Sequence, residues 1–328
     1  MERAVPPFFV VGNPRSGTKL LRELLNASPD VWLSEVESHF IPKFTRQIAG
    51  YGDLGVRSDF ERLATALRGT RAFWQWEHRG VHVPSDEWYA ACPRHDWPGV
   101  IEGLFRCVHR REAPADSGRW AEIVWGDKTP VYMGEQPLLA SLFPHARVIH
   151  IVRDPRDCVL STEDAWGNSP LRTAQEWADR IRSCRAAGRA LGRERYCELR
   201  YEDLTDDVHE PLRRVFGFLG VPEPIDAGRP LRVPENLGAA RGTREVIAGN
   251  KQKWKTRMEP ELRRAIEAIT GDLLDAYGYE REHPGLPIRS LSRARLGAYR
   301  VRDAWQQLRF RRRELGSWSE AVKFLMAR

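Results

Sequence analysis

The passage that most narrows what this chain can fold into is Val10-Val11-Gly12-Asn13-Pro14-Arg15-Ser16-Gly17-Thr18-Lys19-Leu20-Leu21. An apolar run, Phe8–Val11, leads into a Gly/Pro turn, and Leu20, Leu21, Leu24 and Leu25 then recur on one helical face. The pattern predicts a buried strand, a tight loop and a helix that stops near Asn26, ahead of Ser28-Pro29. The first N–H groups of such a helix lack intrahelical acceptors, and the helix dipole adds partial positive charge, so the loop suits an anion. Gly17 lets the backbone approach that anion, while Arg15, Ser16, Thr18 and Lys19 supply donors and charge.

Residue order separates this loop from the nucleoside triphosphatase version, in which lysine directly follows the second glycine and precedes a metal-binding hydroxyl. Here the order is Gly17-Thr18-Lys19, which displaces the lysine by about 100° around the helix. Two alternatives stay open on the residues alone. One is a P-loop kinase using ATP and Mg²⁺; the other is a catalytically inactive protein that binds a nucleotide or a membrane surface.

Further apolar runs at Val31–Leu33, Ile123–Trp125, Val148–Val152 and Tyr196–Leu199 read as strands. Helices are expected over Thr173–Leu191, Glu210–Leu219 and Glu261–Ala276. This alternation implies an α/β fold with a P-loop-like central parallel sheet flanked by helices. Residues 45–120 are rich in Trp, Arg and His with little periodicity, and are expected to form a helical insertion over the active site. No apolar run reaches the ~18–20 residues that span a bilayer, and Val5–Val11 lacks the length and basic flank of a signal peptide. The five Cys form no CxxC pair, so neither a zinc site nor a disulfide framework is indicated. Reduced thiols and a cytoplasmic location are the expectation.

A second cationic cluster, Arg153-Asp154-Pro155-Arg156, follows the strand ending at Val152. Open α/β sheets bind ligands at the carboxyl ends of their strands. A guanidinium there suits a phosphate, and Ser161, about two helical turns on, can add a hydroxyl. A structural ion pair at a helix start is the competing reading of the same four residues.

Taken together, these residues resemble the PAPS-dependent sulfotransferase superfamily (PAPS is 3′-phosphoadenylylsulfate). PRSGT (Pro14–Thr18) is similar to its 5′-phosphosulfate loop and RDPRDCVLS (Arg153–Ser161) to its 3′-phosphate motif. GDKTP (Gly126–Pro130), RYEDL (Arg200–Leu204) and FGFLGVP (Phe216–Pro222) resemble further landmarks in the family's order, across roughly residues 8–280. The segment Gly12–Pro42 is closest to the tyrosylprotein type, and the whole also fits bacterial and carbohydrate-type members. The resemblance implies sulfuryl transfer from PAPS to an acceptor hydroxyl, releasing 3′-phosphoadenosine 5′-phosphate (PAP). Arg15, Ser16, Gly17, Thr18 and Lys19 would hold the 5′-phosphosulfate, and Arg153 and Ser161 the 3′-phosphate. Tyr201 would pack near the adenosine or belong to the core. Arg241–Lys253 resembles a loop over the nucleotide whose phosphate-contacting lysine matches Lys253. The tyrosylprotein-type loop carries a second threonine where this chain has Lys19, so that contact differs from the family pattern.

Transfer requires a base for the acceptor proton. Glu37 matches the tyrosylprotein-type base position, with Glu35 and His39 as substitutes. Fixed cations must meet the charge developing on the leaving oxygen, and Arg15 and Lys128 are the natural pair, although Asp127 could simply salt-bridge Lys128. No Asp/Glu set reads as a metal site and the chemistry demands no Mg²⁺.

Charge is unevenly placed. Residues 281–328 hold twelve Lys/Arg and four Asp/Glu, a balance of +8 against −1 for the remainder. The excess therefore argues against a nucleic-acid partner for the body. The expected organisation is a sulfotransferase domain over residues 1–285 and a basic helical C-terminal extension over residues 286–328. Within 288–315, nine arginines are interspersed with Leu296, Tyr299, Trp305, Leu308 and Leu315. This segment reads as a helix on the body, a peripheral membrane contact, or an electrostatic collar. The acceptor class (glycan, lipid, phenol or tyrosyl peptide) is not encoded in any motif.

Overall fold

The computed structural model describes residues 6–224, 246–247 and 249–315, with Gly242 and Ser317. Among them are five strands: β1 (Phe8–Gly12), β2 (Val31–Leu33), β3 (Val124–Lys128), β4 (Arg147–Val152) and β5 (Tyr196–Arg200). They form one sheet in the order β2-β3-β1-β4-β5, and every pairing is parallel. Successive strand residues face opposite sides. Phe8 and Val10 pack with Leu21, Ile149 and Phe216 on one side, while Phe9 and Val11 join Val148, Val152 and Trp177 on the other. A sheet covered on both faces needs apolar residues at consecutive positions, which is why these strands read as unbroken hydrophobic runs.

The helices are α1 (Thr18–Leu25), α2 (Ile41–Gln47), α3 (Arg57–Arg68), α4 (Arg71–His78), α5 (Ser85–Ala91), α6 (Trp97–Glu112) and α7 (Gln136–Leu142). They continue as α8 (Pro155–Trp166), α9 (Pro170–Leu191), α10 (Tyr201–Asp206), α11 (His209–Leu219), α12 (Trp254–Arg257), α13 (Pro260–Ala276) and α14 (Arg293–Leu315). Leucines of α1 and α11 cover the Phe8/Val10 face, and α8, α9 and α13 cover the other. The expected α/β architecture is present, with most boundaries within one residue and two displaced further. β3 runs on to Lys128 rather than ending at Trp125, because Gly126, Asp127 and Lys128 pair in register with Phe8, Phe9 and Val10 of β1; neighbouring strands override weak local propensity. α9 starts at Pro170 rather than Thr173, since proline suits the first helical position.

Residues 45–120 do form helices, α3 to α6, around a cluster containing Phe60, Phe73, Trp76, Trp88 and Phe105. Rings at several angles around each helix blur a 3.6-residue period, which explains the weak signal.

Candidate active site

The β1–α1 loop places its groups through two left-handed residues, Arg15 (φ 71°) and Gly17 (φ 90°). Glycine at 17 answers a packing need as well, since a Cβ there would lie 2.3 Å from the Tyr201 ring. Tyr201 is therefore a floor beneath the loop, and its hydroxyl accepts from Asn250 Nδ2 at 2.8 Å. Ser16 is fully buried, its Oγ 3.5 Å from Cys158 Sγ and its N–H donating to Asn13 O at 3.0 Å. Thr18 is buried and Lys19 half-buried on the first turn of α1, whose start carries no side-chain cap.

The second cluster divides into two roles. Arg156 is fully buried, donates to Asp154 and to Glu267 Oε1 (2.8 Å), and stacks 3.6 Å from the Trp254 ring. It is the structural ion pair. Arg153 is buried too; the charges of Asp157 and Glu202 favour its cation, but neither carboxylate forms an ion pair with it among the described residues. Its Nη1 donates to Arg15 O at 3.1 Å and its Nη2 to Asn250 O at 3.1 Å, its plane lies 4.4 Å over Tyr201, and its Nε has no partner. Its hydrogen bonds go only to neutral groups and one donor stays unused, which leaves capacity for an arriving anion. Lys253 faces the same place: burial and then repulsion from Arg153 hold its ammonium below the usual lysine range. Ser161, on α8, accepts from Arg15 Nε at 3.0 Å, so the two motifs meet in one site. Of the segment Arg241–Lys253, residues 241, 243–245 and 248 lie outside the described residues, as do 316 and 318–328 of the basic extension.

On the other side of β1, the loop after β2 carries Glu37. Its carboxylate forms an ion pair with Lys128 at the end of β3 and accepts from His39 Nε2 at 2.9 Å. Burial pushes this carboxyl up, but the His39 hydrogen bond and the Lys128 charge prevail and bring it down to about 2. Lys128 in turn is lowered by burial and supported by Glu37. Asp127 does not pair with Lys128, because adjacent strand residues point to opposite faces. Instead it accepts from Ser38 Oγ and from Thr129 Oγ1 (2.9 Å), and burial lifts it to about 6. Thr129 Oγ1 accepts the Ser38 N–H at 3.1 Å, and Tyr132 hydroxyl bridges Ser38 Oγ (2.7 Å) and the Ile41 N–H (3.2 Å). This cage fixes the turn in which His39 takes φ 52°. Of the substitute bases, His39 touches Glu37 directly, whereas Glu35 turns away to pair with Arg79 of the helical insertion. Trp76 Nε1 donates to Ser34 Oγ at 3.0 Å, so the insertion holds the base loop from outside.

Three contributors were not singled out in the sequence, although Asn250 lies within the Arg241–Lys253 segment. Asn250 bonds both Arg153 and Tyr201, Tyr132 buttresses the base turn, and Arg180 of α9 donates to Asn13 Oδ1 at 3.1 Å beside the cradle.

Comparison with known proteins places this arrangement. The model of the sulfotransferase family, Sulfotransfer_3, matches residues 6–225. The chain is 24% identical over 318 residues to omega-hydroxy-beta-dihydromenaquinone-9 sulfotransferase Stf3 of Mycobacterium bovis, covering 86% of this chain and 77% of that protein. It is 25% identical over 227 residues to protein-tyrosine sulfotransferase of Drosophila melanogaster, covering 67% of this chain and 39% of that protein. The sulfotransferase domain of the Synechococcus PCC 7002 olefin synthase superposes with a TM-score of 0.53 at 22% identity, over 85% of this chain and 98% of that domain. None of these matches supports the kinase reading. With the family model spanning both the anion cradle and the Arg153 cluster, the chain belongs to the sulfotransferase family and is a sulfotransferase.

Proposed function

We propose that the donor is PAPS and that transfer to an acceptor hydroxyl proceeds by in-line displacement. The observation that carries this reading is Arg153: a buried guanidinium without a carboxylate partner among the described residues, with an unpartnered Nε, bonded to the backbone of the cradle itself. In this reading Arg15, Ser16, Gly17, Thr18 and Lys19 hold the 5′-phosphosulfate. The Ser16 side chain faces Cys158, so its part is to shape the loop. Arg153, Ser161 and Lys253 receive the 3′-phosphate, and Tyr201 supports the loop as its floor. No group of three or more His, Cys, Asp or Glu able to hold a metal ion occurs among the described residues, and the proposed steps use only protein cations.

In the reaction the acceptor oxygen forms a bond to sulfur while the bond from sulfur to the bridging phosphate oxygen breaks. The acceptor proton passes to the Glu37 carboxylate, and PAP departs with the electron pair. Lys128 and Arg15 meet the negative charge on the leaving oxygen, where preorganised cations in a dry site act most strongly. A carboxylate at about 2 is a weak base. As Lys128 turns toward the leaving oxygen, Glu37 keeps only its His39 bond, and its basicity rises when the proton must be taken. The acceptor is a hydroxyl compound, consistent with relatives named for a hydroxylated menaquinone and for protein tyrosine.

Thermal-shift titration with PAP, against ATP plus Mg²⁺, tests the donor. PAP is expected to raise Tm as mass action requires; equal or stronger stabilisation by ATP–Mg²⁺ overturns the assignment.

A further inference from the structure

The helix α14 is amphipathic the wrong way round for a helix that merely covers a protein core. At about 100° per residue, positions 294, 298, 301 and 305 fall within about 60° of one another, and position 303 lies on the opposite side. That opposite side faces the body. Asp303 is 1% exposed and accepts from the Ser169 N–H at 3.0 and 3.1 Å and from Ser169 Oγ. It thereby caps the start of α9 from a different helix, a favoured place for a negative charge. Arg172 pairs with the same carboxylate at 3.1 Å, and Arg302 donates to Ser169 Oγ at 2.7 Å. The docking contact is thus polar and specific, and it fixes which face looks outward.

The outward face is Ala294, Ala298, Val301 and Trp305, all exposed, with Val301 at 63% and Trp305 at 57%. Arg295 and Arg302 lie along one flank of this stripe and Arg293 and Arg300 toward the other, all exposed, although Arg302 also reaches back to Ser169 and Arg300 lies 3.9 Å from Glu176 of α9. Leu296 and Tyr299, which contribute to an apolar pattern in the sequence, are instead half-buried away from the stripe.

We infer that α14 is a membrane-surface helix, laying Val301 and Trp305 into the interfacial region of an anionic bilayer while flanking arginines, Arg293 and Arg295 foremost, meet lipid phosphates. An apolar centre between cationic flanks, with tryptophan at the boundary, is the arrangement that binds acidic lipid surfaces. Charge complementarity selects this occupant. A second copy of the chain, related by a two-fold axis, would set each arginine row against its equivalent, and a nucleic-acid backbone has no use for the apolar centre. No helix among the described residues is long and apolar enough to cross a membrane, so the contact is one of lying on the surface. It brings to the bilayer the same α8 that carries Ser161, since α14 packs on α8 and α9. The inference is independent of the donor assignment.

The test is flotation of the full chain with vesicles of phosphatidylcholine alone or mixed with phosphatidylglycerol, at low and high salt. Binding is expected only with the mixed vesicles, and it should weaken with salt. Val301→Asp with Trp305→Asp, and separately Arg293→Glu with Arg295→Glu, should each reduce binding roughly tenfold or more. Both pairs are on the exposed side, so far-UV circular dichroism and the PAP-induced thermal shift should match the parent chain. The inference fails if the chain does not float, if it binds both vesicle types equally, or if neither double variant changes binding. A lipid-free dimer that dissociates in the Trp305 variant, without flotation of the parent, would also overturn it in favour of a self-association face.

Discussion

Arg15 donates its Nε hydrogen to Ser161 Oγ across 3.0 Å, joining two segments 146 residues apart in the chain. The bond ties the loop after β1 to the helix after β4, the two neighbouring strands at the centre of the sheet. Ser161→Ala should therefore act on both ends of the nucleotide, removing one phosphate donor and releasing Arg15. Hydrogen bonds to charged groups contribute about 1.5–3 kcal/mol, so PAP should bind roughly tenfold to a hundredfold more weakly by calorimetry. Arg153→Ala should weaken PAP at least as much. Unchanged affinity in both variants would remove the proposed 3′-phosphate site.

Glu37→Ala should leave PAP affinity intact and lower single-turnover transfer by about 10²–10⁴-fold, the usual range for a positioned acid–base group. A variant that turns over at the parent rate with the true acceptor would show that Glu37 is not the base.

Lys128 has a signature in the pH profile. With Glu37 held at about 2, its protonation leaves no acidic limb in kcat/KM above pH ~3 for the parent enzyme. In Lys128→Met the lowering charge is gone while burial still raises the carboxyl, so the limb should move to higher pH. The rate at its plateau should also fall by about 10²–10³, as when one preorganised stabiliser is lost. An acidic limb that stays in place would show that the pair does not tune the base.

Asp127 touches no reacting atom in this scheme and acts through Ser38 and Thr129. Asp127→Asn should lower kcat by roughly ten- to a hundredfold through misplacement of the Glu37 turn, with PAP affinity changed by less than about twofold. Thr129→Ser, which keeps the hydroxyl, should behave like the parent. If Asp127→Asn moves PAP affinity and leaves kcat alone, the cage serves the donor instead.

A buried pair within the sheet, His150 with Glu198, should contribute to stability in a pH-dependent way. For His150, burial lowers its proton affinity, but Cys184 and Glu198 outweigh it and raise it from 6.5 to about 9. Burial raises Glu198, and its bonds to His150, Tyr277 and Tyr196 bring it from 4.5 down to about 2. The raised histidine stabilises fully below 6.5 and loses that contribution as pH climbs through about 9. The lowered glutamate stabilises above 4.5 and loses its contribution as pH falls through about 2. Glu198→Gln should thus cost on the order of a few kcal/mol between those limits. The Tm gap from the parent should narrow as pH is raised from 6.5 toward 9; a constant gap would contradict the pairing.

The two cationic clusters were legible because each is local in the chain: Arg15 to Lys19 run from the β1–α1 loop into α1, and Arg153 and Ser161 lie just before and within α8. What a linear pattern does not carry is which of two equivalent side chains the rest of the molecule takes. Arg153 and Arg156 look alike in sequence, and distant groups, Glu267 111 residues beyond Arg156 together with Trp254 and Glu280, decide that Arg156 is structural. Likewise, the partner of Asp127 depends on strand register, which brings Ser38 from the loop after β2 across to β3. The outward face of α14 was hidden for the same reason, since nothing local announces that Asp303 will be claimed by Ser169.

The strand order β2-β3-β1-β4-β5 makes β1 a watershed. Arg153 and Tyr201, at the ends of β4 and β5, stand on one bank, whereas Glu37 and Lys128, at the ends of β2 and β3, stand on the other. A change in the loop after β2 or its helical insertion can therefore alter the proposed proton handling without touching the proposed 3′-phosphate contacts, which hang on the ends of β4 and β5.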